Sequence, residues 1–86
     1  MAGYRLLITT SAAKELEAVA TKRARQRIVA RIRRLAREPR PMGCQKLTSK
    51  EQYRVRQGPY RIVYEIDDPT CSVTIIKIGH RKDVYR

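Results

Sequence analysis

Eighty-six residues with a hydrophobic fraction of 42% can feed one small core, so a single domain spanning 1–86 is expected and a second is excluded. Twenty Lys and Arg against eight Asp and Glu give a net charge of +12, far beyond what solubility requires, which points to a polyanion: nucleic acid first, an acidic protein second. No apolar run approaches the ~20 residues of a membrane span, and MAGYRLLITT turns polar too early for a secretory signal, so the expected location is cytoplasmic.

Tyr4 to Thr9 sets Tyr4, Leu6 and Ile8 against Arg5, Leu7 and Thr9, the period of a strand with one well-buried face. Thr10 and Ser11 offer N-cap side chains to a short helix over AAKELEAVA, where Ala13, Leu16 and Ala20 recur at helical spacing with Val19 beside them. A second helix runs through TKRARQRIVARIRRLARE. Its apolar stripe is Ala24, Ile28, Ile32 and Leu35, and Pro39 and Pro41 stop it. The two helices are expected to form an antiparallel hairpin, broken near Thr21, whose stripes need a sheet to cover. Elsewhere the second helix is cationic, with no acidic residue before Glu38. A merely solvated helix gains from mixed signs at i, i+4, so this surface is read as a phosphate-backbone contact carried by Arg23, Arg27, Arg31 and Arg34.

Residues 42–50 read as loop with a short edge strand around Leu47. Three strands follow, near residues 53–57, 60–66 and 72–78, with Asp67, Asp68 and Pro69 marking the second turn. Short connections make these strands antiparallel. The expected fold is therefore α+β: an N-terminal strand, a helical hairpin, then a three-stranded antiparallel meander with the helices on one sheet face.

The meander carries the chemistry. Gly58-Pro59 suits a two-residue type II′ hairpin turn, which sets Arg56 opposite Arg61 and Val55 opposite Ile62. Arg54, Arg56 and Arg61 then share the face away from the helices, open to solvent and ligand, while Tyr53, Tyr60 and Tyr64 point to the core. Like charges directly opposite in a ladder cost roughly 0.2–1 kcal/mol, and a chain that tolerates this is offering the pair to an anion. Lys46 and Lys50 lie close by in sequence as further substrate-binding candidates, against the alternative of a solvated loop. Cys44 and Cys71 lack paired spacing and have one His in the chain to join them, so no metal site is expected and the thiols are read as reduced.

GPYRIVYEI and the terminal GHRKDVYR resemble the RelE branch of the RelE/ParE toxin superfamily, small basic proteins encoded beside an antitoxin. The resemblance extends over nearly the whole chain and implies the same α+β fold. It implies a ribosome-dependent endoribonuclease that cuts messenger RNA in the A site without metal or cofactor, by attack of a ribose 2′-hydroxyl on the adjacent phosphate. It also implies a RelB-like antitoxin held in a hetero-oligomer. By resemblance Arg61 stabilises the phosphate, Arg81 serves the leaving side, and Tyr85 stacks on a base or takes part in proton transfer. The sequence departs from the family pattern at Arg54 and Arg56, where that pattern has two lysines. A guanidinium, with a pKa above about 12, is no base near neutrality. His80, beside Arg81 and with an unperturbed pKa of ~6.5, becomes the candidate base. Two rival readings remain open: a ParE-like gyrase inhibitor without nuclease chemistry, and a decayed RNA- or antitoxin-binding module.

Overall fold

The computed structural model describes residues 3–47 and 51–80. Lys50, Arg81 and Tyr85 lie outside the described residues. In chain order the elements are β1 (Arg5–Ile8), α1 (Thr10–Glu17), α2 (Lys22–Arg37), β2 (Gln45–Lys46), β3 (Gln52–Gln57), β4 (Tyr60–Asp67) and β5 (Ser72–His80). The strands form one sheet in the order β1-β5-β4-β3-β2. The expected meander is its centre, and two edge strands complete it. β2 is Gln45–Lys46, just before Leu47, antiparallel to β3; β1 lies parallel to β5.

Both helices start on a threonine. Thr9, not Thr10 or Ser11, caps α1: its backbone is extended and its N–H still donates to Ile75 O of β5, while its Oγ1 accepts from Ala12 N–H at 3.1 Å. Thr21 caps α2 in the same way through Ala24 N–H. α1 stops at Glu17, short of Ala20, and Arg25 closes the turn between the helices by donating to Val19 O at 2.8 Å.

α1 runs beyond the end of β1 along the bare edge of β5. There the Glu15 carboxylate replaces the missing strand, accepting from Ile78 N–H at 2.8 Å and standing 3.7 Å from Lys77 Nζ. Ile28, Ile32 and Leu35 of α2 press on Tyr53, Val55, Ile62, Tyr64, Ile66, Val73, Ile75 and Ile78. Tyr53 and Tyr64 are core, as expected; Tyr60 is only half-buried at the rim. β1 lacks the well-buried face its alternation suggests, since Leu7 and Ile8 remain 45% and 44% exposed. The strand has a neighbour on one side only.

A bulge reverses the alternation in β5. Val63 pairs with Lys77 and Tyr64 with Ile75, which leaves Ile76 as the extra residue. Before it, odd residues Val73 and Ile75 face the helices; after it, Ile78 does, opposite Ile62, and His80 shares that face opposite Tyr60.

The loop after α2 is pinned at two points. Tyr64 donates its phenol to Pro39 O at 2.7 Å, and burial pushes that phenol well above its ordinary pKa. Arg40 lies over the Tyr53 ring at 5.3 Å and bonds to Asp68 at 2.9 Å, and Asp68 also accepts from the Tyr4 phenol at 2.6 Å.

Candidate functional site

The hairpin has the expected register: Arg56 stands opposite Arg61 and Val55 opposite Ile62. Gly58 has φ +60°, and because Pro59 cannot take a positive φ the pair fits the type II′ turn. Arg54, opposite Val63, shares the outer face with Arg56 and Arg61. The face is less open than its composition suggests. Arg56 is exposed and Arg54 half-buried, but Arg61 is only 6% exposed. β4 is the central strand, so side chains from β3 and β5 flank its outer residues on both sides. The guanidinium is planar and offers a fork of N–H donors that matches a phosphate bidentately.

The other candidates divide. Gln45 accepts from Arg54, tying β2 to the site strand. Lys46 pairs with Tyr53 and so belongs to the opposite face, where its Nζ meets Glu51 at 3.2 Å. It does not replace the absent lysines beside Arg54. His80 is also turned away: it stands edge-on to Tyr60, centroids 5.9 Å apart at 75°, on the helix side, and Gly79 is the residue opposite Arg61. The structure therefore separates His80 from the arginine cluster it was expected to join, because neighbouring residues of a strand occupy opposite faces. Both cysteines are free thiols, Cys44 half-buried and Cys71 exposed.

Of the four helix arginines expected to contact phosphate, Arg23, Arg27 and Arg34 are exposed. Arg31 leans inward, close enough to Tyr64 to oppose the rise of its phenol pKa, and its Nε is buried without a hydrogen-bond partner among the described residues. Tyr60 is a further residue that sequence reasoning misplaced. Its pattern was that of a core tyrosine, yet its position beside the turn leaves it at the rim, lining two clefts.

Over residues 6–85 the chain matches the family described as the ParE toxin of the type II toxin-antitoxin system parDE. It is 31% identical over 86 residues to Toxin RelG of Mycobacterium tuberculosis, covering 96% of this chain and 97% of that protein. The chain belongs to the RelE/ParE superfamily of type II toxin-antitoxin toxins. Among solved structures it is similar to the RelBE2 toxin-antitoxin complex of M. tuberculosis, with TM-score 0.81 and 29% identity over 92% of this chain and 99% of that one. The RelE-RelB complex of Pyrococcus horikoshii gives TM-score 0.80 and 25% identity, covering 94% and 98%. The isolated RelE toxin of Escherichia coli, at 23% identity and TM-score 0.80 over 95% and 90%, shares the fold. No helix among the described residues is long and apolar enough to cross a membrane.

Proposed function

We propose that this toxin is a ribosome-dependent endoribonuclease that cuts translated messenger RNA in the A site without a metal. The observation that carries the reading is the pairing of Arg56 directly opposite Arg61, with Arg54 on the same face. In the reaction a ribose 2′-oxygen attacks the adjacent phosphorus, the bond to the 5′-oxygen breaks, and a cyclic phosphate and a free 5′-hydroxyl result. Negative charge grows on the non-bridging oxygens, where Arg61, with Arg56 and Arg54, stabilises it. Arg81 and Tyr85, named by the family motif, serve the leaving oxygen and a base. With arginines in place of lysines and His80 on the other face, this mechanism leans on charge stabilisation and on in-line alignment supplied by the ribosome. Alignment of that kind is worth several kcal/mol.

The same reading gives the toxin a RelB-like antitoxin, as in the complexes of its structural relatives, and a cytoplasmic site of action. Burial of a +12 surface by an acidic partner would block RNA and speed association.

Primer extension on a defined message, with and without ribosomes, tests the proposal. The parent is expected to leave codon-registered cuts that need ribosomes, and Arg61→Gln and Arg81→Ala to lose about 10²-fold or more in rate. Folded variants that cut as fast as the parent would sink it. The match to the ParE family favours gyrase poisoning as the second reading. Intact message with arrested replication selects that reading, and intact message with normal replication leaves a binding module.

A further inference from the structure

The helix side of the β3–β4 hairpin holds a recess that the proposed cleavage chemistry does not use. Arg23 and Arg27 of α2 face Gln57, Gly58 and Tyr60 across a cleft of about 170 Å³. Tyr60 is also part of the wall of a neighbouring cleft of about 350 Å³, where His80 stands edge-on to its ring. Two guanidinium groups one helical turn apart, a turn glycine with no side chain to block approach, and an aromatic ring thus meet within one small region.

We infer that this region is a second nucleotide subsite for single-stranded RNA, with Arg23 and Arg27 holding a phosphate and Tyr60 stacking on the base. The inference rests on the RNA reading above and deepens it. Arg61 and Tyr60 are consecutive, so their side chains leave β4 on opposite faces, and only the two-residue Gly58-Pro59 turn separates β3 from β4. A strand whose scissile phosphate lies at Arg61 and which bends round that short tip delivers a flanking nucleotide to the recess. The chemistry on each side suits its half of the ligand. Guanidinium forks bind phosphate bidentately, and α2 supplies no carboxylate to compete, since Lys22–Arg37 contains no acidic residue. Every base has a π-face, so an aromatic ring serves as a platform without selecting sequence. Unlike Tyr53 and Tyr64, Tyr60 is not sealed into the core, and its ring meets His80 in a T-shaped contact. Arg23 and Arg27 differ from Arg33 and Arg37, which are spaced identically on the same helix but lie outside this cleft.

The test is fluorescence anisotropy of a labelled hexauridylate with 2′-O-methyl riboses, which lacks the nucleophile and cannot be cut, titrated with the full chain at several salt concentrations. Arg23→Gln with Arg27→Gln is expected to weaken binding about tenfold and to make the log–log salt slope shallower by about 0.7, the loss of one phosphate contact. Arg33→Gln with Arg37→Gln, an equal loss of charge, is expected to stay within about twofold of the parent. Tyr60→Leu should weaken binding about fivefold or more at unchanged salt slope, while Tyr60→Phe retains it. Equal weakening by the two arginine pairs, or parent-like binding by folded Tyr60→Leu, overturns the subsite. The cleavage assay separates this from failure of the RNA reading: ribosome-dependent cuts by a parent that ignores the oligonucleotide would remove the subsite alone.

Discussion

The two ends of the β3–β4–β5 sheet treat charge in opposite ways. At the turn between β4 and β5, the charged groups meet partners within the molecule: Asp68 joins Arg40 and Tyr4, Gln52 donates to Glu65, and Glu51 meets Lys46. At the hairpin, Arg56 is set against Arg61, like against like. The turn end stabilises the fold within the molecule, tying the loop after α2 to the sheet. The hairpin end instead gathers Arg54, Arg56 and Arg61 on one outer face, a concentration of positive charge suited to an anion. Under the proposed function, the hairpin end holds the phosphate and the turn end supports the fold.

The sharpest way to break the comparison is to remove one charge from each end. Arg56→Gln, at the hairpin, is expected to slow message cleavage about 10²-fold, with the thermal midpoint little changed because Arg56 is exposed. Glu65→Gln, at the turn end, should leave cleavage within about twofold. Equal losses in the primer-extension assay would erase the functional distinction between the ends.

A smaller effect tests the support assigned to the loop after α2. Tyr64→Phe removes the bond to Pro39 O and should cost about 1 kcal/mol in urea denaturation, with the rate per folded molecule unchanged. An unchanged midpoint would mean that the loop is held by Arg40 instead.

The smallest expected effect is a change in pH dependence. The Arg40 hydrogen bond first, then that from Tyr4, holds the Asp68 carboxyl below its ordinary 3.8. The folded pKa lies below the unfolded one, so this contribution is complete above about pH 4 and fades as pH falls through the folded value. Asp68→Asn should therefore flatten the acid limb of the stability curve. Tyr4 has the opposite sign: its bond to Asp68 raises the phenol above 10, so its contribution is complete below that pH and lost as pH rises through the folded value. In Asp68→Asn the alkaline limb should shift towards the ordinary tyrosine value. Acid and alkaline limbs that both match the parent would show that this network adds no pH dependence.

Local patterns were legible where one face or one turn decides the outcome. The Ala24, Ile28, Ile32 and Leu35 stripe, the proline stop and the Gly58-Pro59 turn are each determined within a few residues, and the register of Arg56 on Arg61 follows from the turn. The cap at Thr9 was not legible, because its last strand bond goes to Ile75, 66 positions away in the chain. Nor was the exposure of Leu7 and Ile8, since nothing in β1 says that it ends as a sheet edge.

For the site, the sequence by itself showed which residues share the outer hairpin face and that they are cationic, because a strand alternates with period two and a two-residue turn at Gly58-Pro59 sets this register, which a longer loop would have loosened. It also carried the family motif, in GPYRIVYEI over the turn and β4 and in the terminal GHRKDVYR. Tertiary structure decided the rest. Ile76 is inserted at a bulge that exists only because β5 pairs with β4, and the one-residue slip changes which side chains face the helices. His80 therefore faces Tyr60 and the α2 side rather than Arg61. Arg61 is enclosed because β4 is the central strand, and strand order comes from contacts between distant parts of the chain.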